Sequence, residues 1–376
     1  MSGGATPEQL LDDAAALEAA DPQGMLRAVA SGAAQVREAA ALCAEAGVAR
    51  LAEEDRPRAV VVLGMGGSGI AGDVLAAVAG LSCPVPVLSH RGHGLPQWVG
   101  AADLVIAVSC SGTTEETLSG LDEAVRRGCR LLVVAADGSP VHELGQRGRA
   151  LLVPVSQGRQ PRASVFALST PLLLAGAALG LLECSLEEVE ATAVLLEQLA
   201  SRNRPVAETV LNPSKTLSLS LVGRLPSIWG SSPLAGVAAY RFACQLNENS
   251  KTPATWGQLP EAVHNQIVAF DGPFAGGPRD IFADPEESDG SRLHLVLLRD
   301  SVEHPGVAAR ARVARDLARS RGVEVSELLA EGSSPFQRIA SLITLGDWTS
   351  TYLALAQGTD PTPVDAITDL KAQVSR

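Results

Sequence analysis

Apolar positions change their rhythm near residue 58. Residues 7–53 are rich in Ala, Leu and Glu and read as helices, whereas residues 58–63 (RAVVVL) form an unbroken apolar run of strand length. That run leads into Gly64-Met65-Gly66-Gly67-Ser68-Gly69 and a helical stretch from Ile70. Strand-like runs follow at 84–89, 103–109 (DLVIAVS), 129–136 and 150–155, separated by helical patterns over 114–127 and from the Asp137-Gly138 turn to about 148. Five strands alternating with helices predict a doubly wound parallel sheet. A charged helix over 186–202 reads as the passage between two domains, with a boundary at 183–210. Beyond it the plan repeats more loosely, with strands expected at 226–230, 267–270, 293–298 and 323–328 and helices at 234–247 and 305–319. Residues 271–291, crowded with Gly, Pro and Asp, read as a surface excursion without chemistry. The chain is therefore expected to be α/β: a helical segment over 1–54, a first domain over 55–185, and a linking helix, second domain and tail over 186–376.

Size and composition agree with this division. A chain of 376 residues suits two domains, and 46% hydrophobic with 19% charged residues excludes disorder as its main state. The net charge of −12 disfavours nucleic acid and anionic membranes, so any small anionic ligand needs local dipoles and a dedicated pocket. Six scattered cysteines (Cys43, Cys83, Cys110, Cys129, Cys184, Cys244) form no CxxC pair, which argues against a zinc knuckle or a disulfide framework and for a reducing cytoplasm. Glu8, Asp12 and Asp13 precede any apolar run, the wrong charge sign for an export signal. The uncharged stretch 165–182 is barely long enough to span a membrane and is interrupted by Ser169, Thr170 and Pro171, so it reads as a buried helix. Only three of the 30 basic residues are lysines (Lys215, Lys251, Lys371). Where arginine is the default cation, a retained lysine hints at a place needing a compact ammonium.

Candidate chemistry gathers at strand ends. Gly64-x-Gly66-x-x-Gly69 fits the dinucleotide fingerprint, which also expects an acidic residue about 20 positions on for the ribose. The segment Val85-Pro86-Val87-Leu88-Ser89-His90-Arg91 offers no carboxylate, leaving open only an NADP variant through Arg91. The run Ser109-Cys110-Ser111-Gly112-Thr113-Thr114-Glu115-Glu116-Thr117 places five hydroxyls in nine positions at a helix start. With Ser68 from the neighbouring loop they would make a neutral phosphate cradle, although Ser111 and Thr114 could instead simply cap the helix. In the second half, Glu248 (in Asn247-Glu248-Asn249-Ser250-Lys251) and His264 (in Pro260-Glu261-Ala262-Val263-His264-Asn265) are a carboxylate and an imidazole 16 residues apart. Glu can remove a proton beside a carbonyl, and His can move a proton at a ring oxygen.

Four motifs in order, GMGGSGIAGD (64–73), SCSGTTEET (109–117), QPRA (160–163) and NENSK with PEAVHN (247–265), resemble the bifunctional phosphoglucose/phosphomannose isomerase family of sugar isomerase (SIS) proteins over nearly the whole chain. The resemblance implies two SIS-type doubly wound parallel-sheet subdomains flanked by helices. It implies a phosphorylated hexose as substrate, interconversion of glucose 6-phosphate and mannose 6-phosphate with fructose 6-phosphate, and neither metal nor other cofactor. Ser68, Ser109, Ser111 and Thr114 are then phosphate ligands, Glu248 the base between C2 and C1, His264 the ring opener, Arg162 the cation beside the enediolate, and Lys371 a lysine that the C-terminal segment returns to the site. A homodimer with His264 contributed in trans is also implied, with no nucleic-acid or membrane partner. The chain departs from the family pattern at Cys110 (usually Tyr), at His93-Gly94 ahead of Leu95-Pro96 (usually Tyr), and at Gln266, where His-Asn-Glu is usual. Those departures bear on sugar specificity and activity. A non-catalytic sugar-phosphate-binding SIS protein, or an isomerase of another sugar phosphate, stays open as an alternative.

Overall fold

The computed structural model describes residues 6–156, 158–276 and 292–374. Two compact units emerge: one from Ala30–Gln198 with Glu331–Ser341, the other from the described parts of Met1–Val29, Leu199–Ala330 and Leu342–Arg376. Short helices α1 (Pro7–Asp12), α2 (Ala14–Ala20) and α3 (Met25–Ala30) precede α4 (Gly32–Ala46).

In the first unit, β1 (Val60–Leu63), α5 (Gly66–Ala79), β2 (Val87–His90), β3 (Leu104–Ser109), α6 (Glu115–Arg126), β4 (Arg130–Ala136), α7 (Pro140–Arg147), β5 (Leu151–Val155), α8 (Val165–Ala178) and α9 (Leu186–Arg202) follow in order. The strands form one parallel sheet in the order β2-β1-β3-β4-β5. Every residue of β1 and β3 is buried, as a parallel strand covered on both faces requires, which is why these strands read as unbroken apolar runs. Val61, Leu63, Val105, Ala107, Val133 and Ala135 pack on one face against Leu121 and Ala124 of α6 and Val141 and Leu144 of α7. Helices α5, α4 and α8 occupy the other layer, α8 packing against both α5 and α4. The stretch expected to be a buried helix is α8, with most of its side chains inside the unit. Among the described residues no helix is long and apolar enough to cross a membrane. Asp103, fully buried at the entry to β3, accepts from Arg58 Nε (3.0 Å) and Nη2 (2.7 Å), tying the approach to β1 onto its neighbour.

The second unit contains α10 (Pro213–Leu221), β6 (Leu225–Gly230), α11 (Pro233–Gln245), β7 (Thr255–Gln258), α12 (Ala262–Asn265), β8 (Leu293–Arg299), α13 (Pro305–Ser320), β9 (Glu324–Leu329), the main part of α14 (Pro335–Ala356) and α15 (Asp365–Val374). Its parallel sheet runs β7-β6-β8-β9. Trp229 of β6, stacked on Phe270 with centroids 5.5 Å apart, packs with Leu295, Leu297, Ala311 and Ala314. The strand expected at 267–270 is instead part of a 3₁₀ turn, Gln266–Asp271, and the fourth strand is β7. Only Phe270 of that apolar run is fully buried, while Val268 faces solvent, so the run lacks the continuous burial of a sheet interior. Of the excursion expected at 271–291, residues 277–291 lie outside the described residues.

Lys215 is wholly buried, and its ammonium donates to the carbonyls of Leu11 (2.5 Å), Pro205 (2.7 Å) and Ala207 (2.7 Å). Burial holds its pKa below the usual lysine range, while the nearby Asp12 carboxylate opposes that shift.

Candidate active site

Strand order reverses between β1 and β3 in the first sheet, and in open α/β sheets ligands bind in the crevice that such a reversal creates at the carboxyl ends of the strands. Both helices that leave these two strands begin there. Helix α5 starts inside the glycine-rich turn, at Gly66 rather than at Ile70, and α6 starts at Glu115. Neither has a side-chain cap, so the first amides of both keep their donor capacity, apart from that of Ser68, which donates to the Met65 carbonyl (3.0 Å).

Four of the hydroxyls in 109–117, those of Ser109, Ser111, Thr113 and Thr114, pair with one another, while Thr117 Oγ1 is buried without a hydrogen-bond partner among the described residues. Ser109, fully buried at the end of β3, accepts from the Gly112 amide (3.0 Å) and pairs with Thr114 Oγ1 (3.1 Å). Thr114 occupies the N-cap position of α6, yet its hydroxyl makes no capping bond; capping therefore does not account for it. Ser111 is exposed and accepts from the Thr113 amide (3.4 Å) and hydroxyl (3.2 Å). Ser68, in the first turn of α5, accepts from the Cys110 amide (3.2 Å), which joins the β1–α5 and β3–α6 loops directly. Two glycines permit this geometry. Gly112 has φ +69°, and a Cβ there would lie 2.0 Å from Ser139 Oγ. A Cβ on Gly69 would lie 2.8 Å from the Gly64 carbonyl, so the third glycine of the fingerprint lets the helix close onto its strand end. Arg91 meanwhile pairs with Asp73 of α5, an internal ion pair where the NADP variant would need the guanidinium for a 2′-phosphate.

Arg162 lies in the 3₁₀ turn Pro161–Ala163 and is 8% exposed. A Cβ on Gly67 would stand 3.4 Å from the Pro161 carbonyl and 3.7 Å from Arg162 Cα, so the QPRA turn rests against the glycine-rich turn. The first unit thus brings Ser68, Ser109, Ser111, Thr114 and Arg162 together on the loops after β1, β3 and β5. Beside them opens a cleft of about 420 Å³ walled by Cys110, Ser111, Ser139, Ser156 and Arg159 among others. Burial pushes the Cys110 thiol up, against the opposing effect of a hydrogen bond with Ser164, so it stays uncharged at neutral pH. Arg159, paired with Glu38, is a cation of this cleft that the sequence motifs do not include. Only its place two residues before Pro161 could have pointed to it.

The second unit carries the remaining candidates. Helix α11 runs into one wider π turn, Leu246–Ser250, which contains Glu248. Its neighbours are tied down: Asn249 Nδ2 donates to Ser350 Oγ of α14 (3.0 Å) and Ser250 Oγ to the Leu246 carbonyl (2.8 Å). On the preceding helix, Arg241 makes a buried two-point pair with Asp347 of α14 (2.9 and 2.7 Å), to which Gln245 also donates (3.0 Å). The Glu248 side chain itself takes no partner among the described residues, nor does that of His264, which is exposed on α12. Gln266 explains one departure from the family pattern. Its Oε1 accepts from Trp229 Nε1 (2.8 Å) and its Nε2 donates to the Trp256 carbonyl (3.0 Å), so the amide bridges β6 and β7 two residues from His264. Lys371 lies on α15, none of whose residues is buried. Among the described residues no group of three or more His, Cys, Asp or Glu could hold a metal ion.

A family model described as the bacterial phospho-glucose isomerase C-terminal SIS domain matches residues 211–374. The chain is 34% identical over 316 residues to a bifunctional phosphoglucose/phosphomannose isomerase of Caldicellulosiruptor bescii, covering 84% of this chain and 89% of that protein. A protein of the same name from Aquifex aeolicus is 31% identical over 321 residues, covering 85% and 91%. Among solved structures, a hypothetical protein of Thermus thermophilus superposes with a TM-score of 0.71 at 17% identity, covering 96% of this chain and 94% of that one, a likeness of fold alone. The sequence motifs, the paired parallel sheets and these relatives lead to one conclusion: the chain belongs to the bifunctional phosphoglucose/phosphomannose isomerase family.

Proposed function

We propose that this protein is an aldose–ketose isomerase that interconverts glucose 6-phosphate and mannose 6-phosphate with fructose 6-phosphate through an enediolate. The observation that carries the reading is the 34% identity, over 84% of the chain, to a relative that bears both activities in its name. The uncommitted Glu248 carboxylate and the hydroxyl-lined loop support the roles below.

Ser68, Ser109, Ser111 and Thr114 hold the phosphate, with the uncapped amides of α5 and α6 adding donors. His264 moves the proton that opens the pyranose ring. Glu248 takes the C2 proton of the open aldose, whose electron pair passes into the C1 carbonyl, and returns a proton to C1 to give the ketose. Arg162 stabilises the charge that grows on oxygen, and Lys371 adds a second cation. The hydroxyl proton shifts from O2 to O1 in the same sequence, so the product is an isomer and no electrons leave the substrate; neither metal nor nicotinamide is required. Rotation about C2–C3 before deprotonation lets the one base serve both epimers.

The active form is a homodimer in which His264 joins the Glu248 of the other subunit. Each variant alone, Glu248→Gln or His264→Ala, should lose about 10²- to 10⁴-fold in kcat for both hexose 6-phosphates, with sugar-phosphate binding retained in the first. Subunit exchange between the two should restore activity, because each mixed dimer holds one doubly defective and one intact site. Unchanged kcat in Glu248→Gln removes the base, and verified exchange without recovery removes the trans arrangement.

A further inference from the structure

We propose that Lys251 is a positioning residue that fixes the catalytic turn by clamping it to the root of the C-terminal helix; this rests on the assignment of Glu248 as the base. Lys251 directly follows the π turn and takes φ +56°, a left-handed conformation that a residue with a Cβ adopts only when its surroundings demand it. Its side chain, exposed to solvent, folds back along the turn. There the ammonium donates to the carbonyls of Glu248 (2.9 Å) and Asn249 (3.2 Å), and across to those of Pro363 (2.8 Å) and Asp360 (3.3 Å). A single cation therefore joins carbonyls from two segments more than 100 residues apart in sequence.

Both segments matter for the chemistry. A π turn is too wide to close its backbone bonds in the ordinary helical way, and such turns recur at functional sites because they push a residue out of the helix. Here the residue displaced is Glu248, whose own side chain has no tether among the described residues. The other segment leads straight into α15, which bears Lys371 and buries none of its residues. The segment 360–363, to which Lys251 is attached, lies immediately before α15 in the chain. Lysine suits this place for a reason that arginine does not share. Four carbonyls converge on a point, and a compact ammonium with three rotatable donors, one of them shared between two carbonyls, can meet them where a planar guanidinium fork cannot. In a chain with only three lysines, this is one of them.

The test compares the purified full-length wild type with Lys251→Met and Lys251→Arg, using fructose 6-phosphate as substrate. The expected result is a kcat lower by about 10- to 100-fold in both variants, the usual cost of misplacing a reacting group by an ångström. KM should stay within about threefold, since the phosphate ligands lie in the other unit. Exchange of a C1 proton of fructose 6-phosphate with deuterated solvent should fall by the same factor as kcat, and amide hydrogen exchange should quicken together in 246–250 and 360–367. A merely structural lysine would lower the amount of folded enzyme without dividing kcat from KM in this way. If the methionine variant does not fold, the arginine variant, which keeps the charge, reads the same division. Full kcat in either folded variant overturns the clamp. Glu248→Gln, run alongside, separates the two ideas: if it is inactive while both Lys251 variants are fully active, only the clamp is wrong, whereas an active Glu248→Gln removes the base itself.

Discussion

Replacing Gln266 by Glu tests whether the departure from the family's usual His-Asn-Glu is structural. In the wild type the amide both accepts from Trp229 Nε1 at 2.8 Å and donates to the Trp256 carbonyl at 3.0 Å. A carboxylate keeps the first bond and loses the second, a net cost of about 1 kcal/mol. It also sets an oxygen bearing about half a charge 3.0 Å from a carbonyl oxygen of similar partial charge, which at an effective dielectric of 20 costs roughly 1 kcal/mol more. A penalty of about 2 kcal/mol in a unit of this size lowers its melting temperature by about 4 to 8 °C at pH 7. Because the neutral acid can donate where the anion cannot, the introduced carboxyl has a folded-state pKa raised above its unfolded value of about 4.3. A raised folded pKa means that the variant loses stability relative to wild type as pH rises through that window and regains it on acidification. The assay is differential scanning calorimetry of Gln266→Glu and wild type from pH 4 to 8. A variant as stable as wild type at pH 7, or a difference that does not shrink towards pH 4, would refute the bridging role of the amide.

Thr114→Ala should raise KM for phosphorylated hexoses by about 10- to 100-fold, the loss of one hydrogen bond to an anion, while lowering the melting temperature by only about 2 to 4 °C, the worth of its bond with Ser109 and not of a helix cap; steady-state kinetics with a thermal melt checks both. The Arg58 guanidinium holds the Asp103 carboxyl below the usual range, so the pair contributes stability above about pH 4 that is lost as pH falls through the folded value. Asp103→Asn should therefore lower the melting temperature at pH 7 and flatten its decline towards pH 2, and an unaltered acid profile would count against the pair.

The centre of the first sheet was legible because β1 and β3 are buried on both faces, so runs such as Val60–Leu63 announce themselves without any knowledge of their neighbours. Strand β7 was not. Of its four residues only Gly257 is buried, and an edge strand of mostly exposed residues has no apolar signature. Helix α14 escaped for the opposite reason: nearly all of its side chains are buried, so no polar face marks a period. The hydroxyl cluster could be read because its members lie within nine positions of one another. The surroundings of Glu248 could not, since Ser350, Asp360 and Pro363 are brought to its turn by the fold. The scarcity of lysine did carry information, as Lys215 and Lys251 each gather several carbonyls.

The Lys215 ammonium also sets a timetable for the growing chain. Two of its carbonyl partners, Pro205 and Ala207, emerge just before it, but the third, Leu11, was made 204 residues earlier. At roughly 5 to 20 residues per second, the amino-terminal helices wait about 10 to 40 seconds for the element they dock against. Throughout that interval the whole first sheet is synthesised and can close on itself without them. A bulky fusion or a deletion at the amino terminus would thus strike the later-made unit, leaving a buried cation short of one acceptor at a site far along the message.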